Sequence, residues 1–338
     1  MKKVLLILLI LLTALIGVGG YFAYCMYGAV MNNEETAYIY LDRDDDVDSL
    51  KTKLLEVTQP SPVLGFDLSA KLLRMKGNYK GRYAVETGAS MMSVLRTVRN
   101  HLQSPVNVVV PSVRTMGDLA ARVAKQLMID STEVAQVLTS DSVMSSLGFD
   151  RQTFPGMFIP NTYEMYWDVS AENLVQRMKK ENDNFWNDTR KEKARQLGLT
   201  ANQVATLASI VDSESAYNPE KPRIAGLYLN RMKKGMLLQS DPTVIYALGD
   251  FTIRRVLNKH LAVDSPYNTY LYKGLPPGPI RIPSIAGLDA VLNHEDNNYL
   301  YMCAKEDFSG SHNFAVNYAE HQANARRYVK ALNERGIK

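Results

Sequence analysis

Hydrophobic and polar positions divide the chain into three stretches. Residues 4–31 form a run of about 28 uncharged, mostly apolar positions, long enough to cross a bilayer with some tilt. Shorter patterns follow. Residues 37–41 read as a strand, and the acidic run 42–48 leads into an amphipathic helix around 49–57. A second helix covers about 67–75, with Gly77, Asn78 and Gly81 marking a turn. Residues 81–86 alternate as a strand, 90–102 read as a helix, and 106–110 as a buried strand. Strand, helix, helix, strand makes a compact βααβ module.

From Thr115 the pattern turns helical, with short helices at 115–128, 131–138 and 141–147. An aromatic, proline-bearing loop begins at Phe154, and one long charged helix is expected over 171–197. The next helix opens on a capping box, Thr200 with Gln203. Pro222 and Gly235 bracket a further helix. The hairpin expected from Tyr299 to Val316 leads into a C-terminal helix from Asn317. The fold class is therefore α+β, with a mostly helical second domain.

Within the helix from Thr200, Val204, Leu207 and Val211 follow at steps of three and four, and Glu214 takes the next step of that apolar stripe. A carboxyl group on such a stripe is desolvated, which raises its pKa toward what a general acid needs near neutral pH. Most helical glutamates are solvated surface residues, so the stripe is what singles this one out. Asp212 is roughly 200° round the helix from Glu214 and faces elsewhere. This predicts chemistry with one carboxylate.

Charge sets the orientation of the apolar run. Lys2 and Lys3 precede it, and Glu34, Glu35, Asp42 and Asp44 to Asp46 follow with only Arg43 between. The positive side stays inside, so a cytoplasmic N-terminus and an outward-facing remainder are expected. A cleaved signal peptide is the alternative, but the apolar core is long and no clear small-residue cleavage site follows. About 300 residues remain, enough for two modest domains. With 46% hydrophobic and 22% charged residues the chain reads as folded, and a net charge of +4 makes no case for nucleic acid. Cys25 lies in the apolar run, while Cys303, in Tyr-Leu-Tyr-Met-Cys-Ala, reads as a buried core thiol. The five histidines have no paired spacing, so no metal site is expected, and no cofactor motif is present.

Two segments after Glu214 carry polar groups suited to a sugar. In Leu-Leu-Gln-Ser-Asp-Pro-Thr-Val-Ile-Tyr, Gln239 and Thr243 offer hydrogen-bonding groups, and Asp241 before Pro242 reads as a helix N-cap. Prolines 266, 276, 277 and 279 make the second an irregular wall. There Tyr267, Tyr270 and Tyr272 with Asn268 suit a long carbohydrate, or else the tyrosines simply pack inward. His321 on the C-terminal helix is a minor candidate.

Leu-Ala-Ser-Ile-Val-Asp-Ser-Glu-Ser, Leu-Leu-Gln-Ser-Asp-Pro-Thr-Val-Ile-Tyr, Pro-Tyr-Asn-Thr-Tyr and Gly-Leu-Pro-Pro-Gly-Pro-Ile together resemble the motif series of the MltG/YceG family. Those proteins are membrane-anchored endolytic murein transglycosylases, and the resemblance spans nearly the whole chain. It implies three parts: an anchor at 1–32, a LysM-like module at 33–114 and a catalytic domain at 115–338. It places the family's catalytic glutamate on Glu214, with Asp212 and Ser215 standing where the family has Glu and Thr. Asn161 stands where the family often has Asp. The implied reaction is non-hydrolytic cleavage of nascent peptidoglycan outside the cytoplasmic membrane, leaving 1,6-anhydro-N-acetylmuramic acid ends. Gln239, Asp241, Thr243, Tyr267 and Asn268 are the expected glycan-binding residues, and contact with peptidoglycan synthases is also implied. A water-using muramidase and a non-catalytic glycan-binding scaffold are the rival readings.

Overall fold

The computed structural model describes residues 2–336. The chain separates into two compact units. The first runs to Val108 and adds Gln126–Ile129 and Tyr163–Val169, and the second takes Val109–Lys125, Asp130–Thr162 and the chain from Ser170 onward.

The first unit begins with helix α1 (Lys2–Tyr27), among the described residues the one helix long and apolar enough to cross a membrane. Its side chains are exposed as far as Tyr24, but Cys25 is fully buried. The apolar run thus outlasts the exposed helix, because its last residues, Val30 and Met31, enter the core of the unit. Strand β1 (Ala37–Leu41), helices α2 (Val47–Thr58) and α3 (Leu64–Leu72), and strand β2 (Gly81–Val85) follow in the expected order. β1 and β2 pair antiparallel, from Ala37 opposite Val85 to Leu41 opposite Gly81. Asp46 caps α2 by accepting from the Asp48 and Ser49 amides, which is how the acidic run starts that helix. Helix α4 (Met91–Arg99) closes over the sheet with Met91, Met92, Leu95 and Val98 buried against Ile39, Leu41 and Tyr83. It stops short of residue 102 because His101 has a positive φ of 52°.

Strand β3 (Val106–Val110) buries Val108 and Val110 but exposes Asn107 and Val109, so one face is covered where an entirely buried strand was expected. The second unit carries α5 (Met116–Ala124), α6 (Ser131–Leu138) and α7 (Asp141–Ser146), each opened by a side-chain cap from Thr115, Asp130 or Ser140. Strand β4 (Asn161–Met165) follows, with the division between units after its second residue. The single helix expected over 171–197 is two, α8 (Ala171–Phe185) and α9 (Asp188–Gln196). Trp186 leaves the helix to bury its ring, and Asn187 then caps α9 by accepting from the Arg190 amide.

The core of the second unit forms around α10 (Ala201–Glu214), buried continuously from Val204 to Asp212. Its capping box is present as read from the sequence. Helix α11 (Lys221–Lys233), α12 (Asp241–Leu248) and α13 (Ile285–Leu292) pack around it. Strands β5 (Tyr301–Ala304) and β6 (His312–Ala315) form the expected hairpin, and α14 (Tyr318–Glu334) starts from an Asn317 cap. The class is α+β, as the patterning indicates.

Candidate functional site

Glu214 is the last residue of α10, with Ser215 as the cap. Its side chain enters a cavity of about 250 Å³ that α11, the start of α12 and the β5–β6 hairpin also line. Burial holds the Glu214 carboxyl above its ordinary pKa, and the neighbouring Asp241 pushes the same way. The negative end of the α10 dipole also disfavours its ionised form. Hydrogen bonds oppose this. Ser240 donates from Oγ to Glu214 Oε1 at 2.5 Å, and the Tyr228 hydroxyl donates to the same oxygen at 2.6 Å. Among the described residues none hydrogen-bonds Oε2.

Ser240 explains a departure from expectation at α12. Asp241 is the first helical residue and Ser240 the N-cap, yet Ser240 makes no side-chain cap. Its hydroxyl is committed to Glu214 instead. Asp241 is exposed, lines the cavity and accepts from the Tyr270 hydroxyl at 2.5 Å. Gln239 also lines the cavity, held by a left-handed backbone at φ 50° and by its backbone N–H donating to the Thr269 carbonyl.

The remaining expected binding residues lie outside the cavity lining. Thr243 is fully buried, exchanging hydrogen bonds with Thr269 and the Ser240 carbonyl. Asn268 is also fully buried, with its amide nitrogen donating to the Leu261 and Val263 carbonyls and its oxygen accepting from the Tyr270 amide. These two brace the loop that carries Tyr270, with their polar groups engaged inside the protein. Tyr267 packs on Tyr246, ring centroids 4.8 Å apart, against the core of the unit. The inward-packing alternative holds for that ring. Tyr272 is exposed and donates to Asp264.

Asp212 does not enter the cavity. It accepts from Lys221 Nζ at 2.7 Å, with both side chains buried, and from the Ser284 amide and hydroxyl at 2.6 and 2.8 Å. It ties α10 to α11 and to the cap of α13. Cys303 is half-buried and lines the Glu214 cavity, where a core thiol was expected, because β5 is a hairpin strand with neither face fully covered. His321 stacks on Tyr301 at 5.3 Å, and burial lowers its pKa.

Four residues of the site went unread in the sequence. Ser240 sat within a quoted motif, one position from Asp241. Tyr228 follows Glu214 by 14 positions, so only folding of α11 back along α10 brings it in. Arg231, one turn further, is buried with Nε donating to the Leu300 carbonyl at 2.6 Å and Nη1 to the Leu238 carbonyl at 2.7 Å. His312 reaches the cavity from β6 with Nδ1 2.8 Å from Glu220 Oε2.

Known proteins resemble this chain in sequence or in fold. An endolytic murein transglycosylase of Bacillus subtilis is 27% identical over 289 residues, covering 80% of this chain and 78% of that one. An endolytic murein transglycosylase of Streptococcus pneumoniae is 25% identical across 97% of this chain, which spans 66% of that protein's length. A crystal structure of a yceG-like protein from Listeria monocytogenes superposes with a TM-score of 0.58 and 25% identity, over 86% of this chain and 99% of that one. The model of the YceG-like family matches residues 39–327, from the first strand to the C-terminal helix and across every segment that builds the cavity, and the chain therefore belongs to the YceG-like family.

Proposed function

We propose that this chain is an endolytic murein transglycosylase with Glu214 as its acid. The carrying observation is the Glu214 carboxyl, with one oxygen gripped by two hydroxyls and the other open to the cavity. Glu214 protonates the glycosidic oxygen between N-acetylmuramic acid and N-acetylglucosamine. The C6 hydroxyl of the muramic sugar attacks its own C1, and the emptied carboxylate takes back a proton as the 1,6-anhydro ring closes. Ser240 and Tyr228 steady that carboxylate while it is charged. Gln239, Asp241 and Tyr270 hold the strand at the cavity mouth.

Helix α1 fits a single-pass anchor. The proposed layout is an anchor at 1–32, a LysM-like module at 33–114 and a catalytic domain at 115–338, with catalysis outside the cytoplasmic membrane beside peptidoglycan synthases. The βααβ order of the first unit supports the module assignment.

Asp241 favours one rival. A second carboxylate in the same cavity is what a hydrolytic muramidase needs to activate water or act as nucleophile. Digestion of peptidoglycan strands by the wild type, Glu214→Gln and Asp241→Asn, with products read by mass spectrometry, separates the readings. Internal fragments ending in 1,6-anhydro-N-acetylmuramic acid, lost in Glu214→Gln and retained in Asp241→Asn, support the transglycosylase. Reducing ends lost in both variants mean hydrolysis. Equal products from wild type and Glu214→Gln remove Glu214 from the chemistry, and strand binding by a folded wild type without cleavage means a scaffold.

A further inference from the structure

One ring in the Glu214 cavity has no part in the chemistry described so far. His312 opens β6, with Nδ1 2.8 Å from Glu220 Oε2. Its backbone N–H donates to Oε1 of the same carboxylate at 2.8 Å. Glu220 is buried and ends the short turn Asn218–Glu220 between α10 and α11, so it is fixed to the same scaffold as Glu214. A carboxylate accepts, so the bond places a ring hydrogen on Nδ1, and in the neutral ring Nε2 keeps its lone pair. Among the described residues none hydrogen-bonds Nε2, and the ring lines the same cavity as Glu214. A histidine that only braced the hairpin would need Nδ1 and nothing in the cavity. This one lines it.

We propose that His312, oriented by Glu220, is a second catalytic residue, which accepts the proton of the attacking sugar hydroxyl. The proposal rests on the reading of Glu214 as the acid and deepens it. The Glu214 proton passes to the glycosidic oxygen, and the C1–O bond breaks with its electron pair going to that oxygen. O6 bonds to C1 while its hydrogen moves to Nε2. The Glu214 carboxylate then takes that proton from Nε2. No water is consumed, and both side chains return to their starting state.

The test uses the full chain in detergent micelles with peptidoglycan strands. The variants are Glu214→Gln, His312→Asn, His312→Ala and Glu220→Gln. An asparagine amide still donates to Glu220 and lacks Nε2. With His312→Asn melting like the wild type, kcat falls by about 100-fold or more while KM stays within about twofold. Glu220→Gln, which weakens the hold on the ring but leaves Nε2 in place, lowers kcat by a smaller factor at unchanged KM. Added imidazole restores turnover to His312→Ala and not to Glu214→Gln. If His312→Asn keeps kcat within about threefold while Glu214→Gln is inactive, the proposal falls and the Glu214 reading stands. Loss of folding in both His312 variants also overturns it, since the residue is then a brace. If Glu214→Gln cleaves like the wild type, the reading of the acid fails and the proposal goes with it.

Discussion

A carboxyl group that gives up a proton and regains it within one turnover must be comfortable in neither state. Glu214 meets that condition through burial on one side and the Ser240 and Tyr228 hydroxyls on the other. Its pKa in the folded protein lies above the ordinary value, so near neutral pH the native state binds more protons than the unfolded chain. Stability contributed by this group is complete below the ordinary carboxylate range and is lost as pH rises through the raised value. Glu214→Gln removes that slope. The variant is expected to be inactive and yet more stable than wild type at neutral pH, with the gain vanishing in acid, as urea unfolding at several pH values will show. Equal stability across the range would mean that the carboxyl is not desolvated. The hydroxyls act in the opposite direction, favouring the charged form. Ser240→Ala and Tyr228→Phe therefore each move the alkaline limb of the kcat profile to higher pH, and an unmoved limb would detach them from the acid.

Elements decide whether that residue points where it must. Asp212 shares α10 with Glu214 and holds the helix to its neighbours through Lys221 and the Ser284 cap. Removing the carboxylate leaves Lys221 buried and unpaired, so Asp212→Ala is expected to cost about 3–5 kcal/mol in chemical denaturation. A cost under about 1 kcal/mol would mean the pair adds nothing. Gly287 tests the same clamp from α13. A Cβ there would stand 2.6 Å from both Asp212 carboxylate oxygens, and these are pinned from three sides. Gly287→Ala is expected to cost about 1–3 kcal/mol by overpacking. Much at this scale was legible. The capping box of α10, the βααβ order and the C-terminal hairpin all follow from local patterning. The Glu214 stripe also announced a desolvated acid, because burial shows in periodicity. What stayed hidden depends on tertiary competition for a side chain. Ser240 looks like one more polar residue before a helix until Glu214 claims its hydroxyl, and Thr243 and Asn268 look like ligand groups until backbone carbonyls and Thr269 claim theirs. The helix expected over 171–197 broke for a similar reason, since burying Trp186 outweighs one more turn and Asn187 is there to cap the restart.

For the whole molecule the open matter is where the anchor ends and the folded part begins. The apolar run suggests a border near residue 32, but the first unit is built partly from that run. Cys25 is buried, and a Cβ on Gly65 of α3 would stand 1.9 Å from the Cys25 carbonyl oxygen, so the end of α1 lies directly against α3. Val30 and Met31 are core residues. Their amides donate to the Ala89 carbonyl, Ser61 donates to the Val30 carbonyl and Gly88 to that of Met31. Chains beginning at residue 25 and at residue 33 should therefore behave differently, although both lose the exposed apolar length of α1 and leave the membrane fraction. The longer one keeps the two side chains and their backbone bonds. The shorter one gives up the buried Cys25 together with Val30 and Met31, the last two each worth about 1.5–3 kcal/mol, and its first unit should unfold at distinctly lower urea concentration. The Glu214 cavity is built only from the second unit, so cleavage of strands already in solution should survive in both. Matching midpoints would show that α1 ends as a free tether. A lower midpoint for the shorter chain makes the last turn of α1 and the segment after it a structural part of the first unit, so that the apolar helix enters a folded body without a flexible linker.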